Sequence, residues 1–357
     1  MPDAPDSTPR RRSPAEEEDA ASPPHVPQRR GAQSAGGPRL PDPWSRRGPL
    51  PLDGYFEREQ FSPLLMALGV LVIGFVAFQV IGALATVALL IPQIAAGGEV
   101  STGDPQAMMQ SIGAEAILGN SMGQALGLGG LTVLVAGGHT RRRWGFLRLR
   151  RPPWQAVALG LIGLVALTPA LSELIRLNQQ LPLPESLRFL EDMRTETIRM
   201  ILESDLGLVA NVAGLAVVPA LCEELLFRGY AQRQLERAAG AAGGIALAGL
   251  LFGIYHLDPL QALPLSMLGG YLAYLTWRTG SLWPAIIAHF ANNAFAVVTT
   301  ELGDAQAAEA AVGAEGAANW PWYAVVGGLI LFATVLFLLH TRAPRWRPAD
   351  EIVNGGS

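Results

Sequence analysis

The chain has 357 residues, half of them hydrophobic, with 26 basic and 30 acidic side chains for a net charge of −4. A mean hydropathy of +0.28 with only 16% charged residues lies between a soluble domain and a pure membrane bundle, so the composition must be uneven along the chain. A single cysteine, Cys222, excludes an intrachain disulfide and a multi-cysteine metal site, and the absence of lysine excludes a Ser–Lys dyad, a lysine Schiff base and a Walker-type lysine.

Residues 1–54 hold nearly half of the 27 prolines, mixed with Arg, Asp, Glu, Ser and Gly. Such a segment buries too little apolar surface to offset its ordering entropy, so a disordered cytoplasmic tail is expected. It has no apolar h-region and is not a signal peptide. Residues 55–345 read as a membrane helix bundle, and 346–357 as a short C-terminal tail. About 20 apolar residues cross a hydrocarbon core of roughly 30 Å. Runs of that kind fall at 64–91, 113–137, 155–175, 207–227, 241–257, 260–277, 283–299 and 322–340. The second and fourth are weaker, because they carry Glu115, Asn120, Gln124 and Asn211. The expected fold class is therefore all-α, a polytopic bundle of about eight transmembrane helices.

Arginine placement orients the bundle. Arg10, Arg11, Arg12, Arg29, Arg30, Arg46 and Arg47 precede the first run, and "HTRRRWGFLRLRRPP" follows the second. Arg228, Arg233 and Arg237 follow the fourth, Arg278 the sixth and "HTRAPRWRP" the eighth. The alternate loops "AAGGEVSTGDPQAMM" and "ELGDAQAAEAAVGAEGAA" carry acids and no arginine. Both termini are thus expected in the cytoplasm. Residues 176–205 mix both signs, and an outer interfacial helix is expected there. No internal repeat is evident, which argues against a transporter built from inverted halves.

An ionisable group inside a bilayer is costly, and it marks either function or pairing. Glu223, Glu224 and Arg228 occupy the fourth run, Phe252 and His256 the fifth, and His289, Asn292 and Asn293 the seventh. On a helix Glu224 and Arg228 are i,i+4 neighbours and can pair, whereas Glu223 lies about 100° round the helix without that partner. An unpaired carboxylate in an apolar setting gains proton affinity, as suits a general base. Pro219, a turn earlier, is expected to kink the helix. The plain alternative is an interfacial salt bridge with snorkelling side chains.

Depth tests that alternative. If the fourth and fifth runs form a hairpin turning near Gly240, Glu223 and Glu224 lie 17 and 16 residues before it and His256 lies 16 after. His289 and Asn293 share one helical face at a comparable distance inside Trp283. Each alone reads as structural glue; together they converge at one level. Cys222 reads as a small core residue. Glu115 and Glu173 read as loop-edge or supporting carboxylates, and His25, His139 and His340 as structural or solvated.

Glu, two His and Asn at one depth suit water activation with oxyanion stabilisation. Glu223 would take a proton from water oriented by His256, and His289 with Asn293 would donate to the oxyanion. Glu223, His256 and His289 could equally hold a divalent metal such as zinc, and spacing does not decide between the two. The chain has no H-E-x-x-H, no G-x-S-G, no G-x-G-D and no G-x-G-x-x-G.

These residues resemble a known family. "EELLFR" fits E-E-x-x-x-R, "FGIYH" fits F-x-x-x-H and "HFANN" fits H-x-x-x-N, in the order and separation of the CPBP intramembrane proteases. That group contains the type II CAAX prenyl endopeptidases and the bacterial Abi-like bacteriocin-immunity homologues. The resemblance covers residues 205–300. It implies a helical membrane fold with a polar cavity open to the cytoplasm. It also implies Glu223 as catalytic base, Glu224 and Arg228 in support, His256 at the water, His289 and Asn293 at the oxyanion, and Phe252 in the cavity wall. The family is often labelled metalloprotease, so zinc stays open as a cofactor. The partners implied are a membrane-associated peptide or protein substrate, prenylated or CAAX-like, and the lipid bilayer. No nucleic acid is expected, and the location expected is a bacterial cytoplasmic membrane. A non-catalytic transporter or an immunity or scaffold protein using the same polar cluster is the alternative.

Overall fold

The computed structural model describes residues 50, 52–98, 105–180, 206–302 and 320–342. All of them lie within 40–357, the second of two units into which the chain divides. The expected disordered tail up to residue 49, nearly all of the expected interfacial helix (181–205) and the C-terminal tail fall outside the described residues.

The described elements are helical in every case. In chain order they are α1 (Tyr55–Arg58), α2 (Pro63–Ala95), α3 (105–139), α4 (Arg143–Phe146), α5 (Trp154–Gln179), α6 (207–239), α7 (241–255), α8 (Pro259–Thr279), α9 (Trp283–Glu301) and α10 (Trp322–Arg342). The long helices fall on the eight apolar runs. Five stretches among the described residues are long and apolar enough to cross a membrane: Pro63–Ala95, Ser111–His139, Trp154–Asn178, Gly207–Tyr255 and Trp322–Thr341. On α2 the side chains of Val72, Ile73, Val76, Val80, Leu84, Val87 and Ile91 are exposed, which is the surface a lipid environment requires.

Local chemistry sets the helix ends. Pro63, Pro259 and Pro284 sit in first turns, where a missing N–H costs nothing. Asp258 caps α8 by accepting from the Leu260 N–H at 2.9 Å. The α6–α7 boundary is Gly240, whose φ of 74° leaves the helical region and is readily adopted only without a Cβ. Residues 241–255 rise only about 22 Å at ~1.5 Å per residue, short of a full bilayer crossing.

Two apolar clusters organise the bundle. One joins α2, α3, α6 and α7 around Leu128, Phe227, Tyr230 and Phe252. The other joins α5, α8, α9 and α10 around Leu164, Leu272, Ala288 and Leu339. A stripe of Gly119, Gly123 and Gly127 lets α3 lie directly on α2. A Cβ at Gly123 would come 2.5 Å from the Phe78 carbonyl oxygen, and one at Gly127 would overlap the Phe78 backbone.

The kink expected at Pro219 takes the form of a π-turn, Ala213–Val217, immediately before it. Proline offers no N–H to the preceding turn, and widening that turn is one way to absorb the loss. A second π-turn, Leu225–Ala231, contains Arg228.

Candidate functional site

The site forms where α6, α7 and α9 meet. Glu224 on α6 is fully buried, and its Oε1 accepts from Arg228 Nη1 at 2.7 Å and from His289 Nδ1 at 2.8 Å. The i,i+4 pair expected from helical spacing is therefore present, and it also ties α6 to α9. Arg228 is equally buried and donates from Nη2 to the Gly269 carbonyl of α8 at 3.2 Å. Its guanidinium carbon stands 4.2 Å from the centre of the Phe252 ring, a cation–π contact that helps a buried charge.

Glu223 turns the other way round α6. Its Oε2 lies 4.0 Å from His289 Nε2, and its side chain is 15% exposed against 5% for His289. That separation is too long for a hydrogen bond and short enough for one water to touch both groups. His289 thus has its two nitrogens facing two different carboxylates. Glu224 accepts only, so Nδ1 carries a proton, and the charge state is decided at Nε2.

Arg228 and Phe252 are equidistant from Gly240, so their contact realises the hairpin expected from the sequence. His256 follows one turn after Phe252 and caps the end of α7 rather than lying within a helix. It is exposed, its ring is 4.7 Å from that of Phe252, and its Nδ1 lies 2.7 Å from the Phe252 carbonyl oxygen. A carbonyl only accepts, so Nδ1 is the protonated nitrogen and neutral His256 offers Nε2 as an acceptor. Phe252 is 1% exposed and also meets the His289 ring edge-on at 5.8 Å, so one aromatic separates the two histidines. Asn293 accepts at Oδ1 from Asn292 Nδ2 at 3.2 Å, which leaves its own amide N–H groups to donate.

The residues do not fit a metal ion. Among the described residues no group of three or more His, Cys, Asp and Glu is placed to hold one. No step is therefore routed through zinc.

Several participants were not singled out from sequence. Phe227 packs edge-on against Phe252 at 5.1 Å and against Tyr255 at 5.0 Å. Its position one turn after Glu223 was the available signal. The Gly269 carbonyl had no signal at all. The sequence also carries "GNSMG" at 119–123, which fits the G-x-S-x-G arrangement of serine hydrolases. The structure removes it from consideration, because Ser121 sits inside α3 and its Oγ donates to the Ile117 and Gly214 carbonyls at 2.8 and 3.3 Å. A nucleophile elbow needs a strand-to-helix turn. Cys222 is buried, as a core residue should be, and Glu173 pairs locally with Arg176. His139 takes the structural of its two expected roles, as a buried node joining Glu57, Tyr230 and Gln234.

Fold and site together define an integral membrane helix bundle with a buried Glu–His–Arg centre. Residues 205–295 match the family described as Type II CAAX prenyl endopeptidase Rce1-like, in keeping with the CPBP resemblance. That family is a protease family. No curated protein and no solved structure matches the chain.

Proposed function

We propose that the protein is an intramembrane endopeptidase that hydrolyses a peptide bond of a membrane-associated, prenylated or CAAX-like substrate. The observation that carries this reading is the opposition of Glu223 Oε2 and His289 Nε2 at 4.0 Å, backed by the fully buried Glu224–Arg228 pair. Glu223 is partly open to water and accepts a proton from the attacking molecule. That water keeps its second hydrogen, which it donates as a hydrogen bond to His256 Nε2. His289, oriented by Glu224 through Nδ1, donates in its doubly protonated form from Nε2 to the oxyanion, and the amide of Asn293 donates beside it. Collapse of the tetrahedral intermediate returns the proton from Glu223 to the leaving amine. Phe252 keeps the two histidines on separate tasks, and Arg228 offsets the charge of Glu224.

The arginine distribution supports eight spans with both termini cytoplasmic, and the short α7 supports a polar turn, 256–258, within the depth of the bilayer. Non-helical backbone there is tolerated where it lines a watered cavity. The bacterial cytoplasmic membrane is the proposed location.

The test uses the purified full chain in liposomes with an internally quenched, S-farnesylated CAAX peptide as probe. Glu223→Gln and His289→Ala should each lower kcat/KM by about 100-fold or more. Cleavage at the parental rate by either variant would overturn the assignment. A parent that cleaves neither this probe nor any membrane peptide in a proteomic comparison favours the transporter or scaffold alternative.

A further inference from the structure

Tyr255 immediately precedes His256, and the mechanism above gives it no part. Its hydroxyl is buried and finds no hydrogen-bond partner among the described residues. Its ring is fixed from two sides, edge-on to Phe227 of α6 at 5.0 Å and edge-on to Phe75 of α2 at 5.2 Å. Phe227 lies one turn after Glu223, so this packing holds the tyrosine over the stretch of α6 that carries the carboxylate. Tyr255 and Glu223 make no direct hydrogen bond. Packing alone would be served as well by phenylalanine, which has the same ring and no polar atom to strand. A buried hydroxyl without a partner is costly, so one retained beside a catalytic carboxylate calls for an occupant between them.

We propose that Tyr255 is a positioning residue whose hydroxyl holds the water that Glu223 deprotonates. The inference rests on the endopeptidase reading and adds a group to the same site. The water then has four defined directions. It donates one hydrogen to Glu223 and the other to His256 Nε2, accepts from the Tyr255 O–H, and points its remaining lone pair at the scissile carbonyl carbon. Tyr255 keeps its proton throughout. Glu223 alone gains one and later returns it to the amine, so the hydrolysis stays balanced.

The experiment compares the parent, Tyr255→Phe, Glu223→Gln and the double variant as full chains in liposomes. On the farnesylated probe Tyr255→Phe should lower kcat about tenfold with KM unchanged. An unaltered kcat would overturn the proposal. Thermal midpoints of the four proteins, which need no substrate, give an independent decision. A shared water makes the two substitutions non-additive, by about 2 °C or more. A merely stranded hydroxyl makes Tyr255→Phe more stable than the parent and additive with Glu223→Gln, and that result overturns the proposal too. If Glu223→Gln cleaves the probe normally, the endopeptidase reading fails, and the midpoints still decide whether Tyr255 and Glu223 share a water.

Discussion

Glu224 receives hydrogen bonds from both Arg228 and His289 on one buried oxygen, whereas Glu223 receives none among the described residues and is partly exposed. The two neighbours should therefore separate in stability even where both are needed for activity. Glu224→Ala leaves the fully buried Arg228 guanidinium without its counter-charge, and breaking a buried pair from one side costs about 3–5 kcal/mol. Glu223→Ala strands no buried charge and should cost less than about 1 kcal/mol. Reversible unfolding in mild detergent reads the difference, and equal losses for the two variants would contradict the division of roles. The motif spacing made Glu223, Glu224, Arg228, His256, His289 and Asn293 visible because helical periodicity alone brings i and i+4 together. Which imidazole nitrogen meets which carboxylate was not visible. That depends on the packing of α9 against α6, to which spacing within either helix is blind. Among the described residues no group of three or more His, Cys, Asp and Glu is placed to hold a metal, so cleavage by the parent should survive stringent chelation, with elemental analysis finding no stoichiometric zinc. Loss of activity restored by zinc would overturn that expectation.

Among the elements, α2 and α3 approach each other through the glycine stripe Gly119, Gly123 and Gly127. In lipid there is little hydrophobic drive for helices to associate, so such backbone approach supplies the contact. Gly127→Ala puts a methyl group into the Phe78 backbone and must push the helices apart. Gly69→Ala on α2 meets no atom within 4 Å and improves helix propensity. The first should lower the thermal midpoint by several degrees and the second should hold or raise it. The opposite ranking would show that α2 and α3 do not pack through this stripe. The α6–α7 hairpin was legible because a glycine-rich turn lies between two apolar runs. The π-turns of α6 were not, since a widened turn reflects how Pro219 and the buried Arg228 are accommodated by neighbours. The end of α7 was legible to within two residues, since the fifth run stops at 257 and α7 ends at Tyr255.

At the scale of the molecule, the eight apolar runs were legible as helices because membrane-length apolarity is a coarse signal. The strap that ties the helix ends was hidden among loop residues. α1 lies across the ends of α3 and α6. Gly54 N–H donates to the His139 carbonyl at 2.9 Å, and Glu57 accepts from His139 Nδ1 at 2.7 Å and from Arg237 Nη1 and Nη2 at 2.8 and 2.7 Å. Burial pushes the Glu57 carboxyl up, but the hydrogen bonds from His139 and Arg237 outweigh it and hold the group below its ordinary value near 4.5. A depressed carboxylate contributes stability that is present in full above that ordinary value and is lost as pH falls through the folded one. The bundle should therefore weaken on acidification below about pH 4.5, and Glu57→Gln should remove part of that dependence while lowering stability at neutral pH. Thermal midpoints of parent and variant between pH 7 and pH 3 measure it. The curves should converge toward the acid end, because a protonated Glu57 and a glutamine are alike in charge. Parallel curves would mean that the strap does not depend on an ionised Glu57.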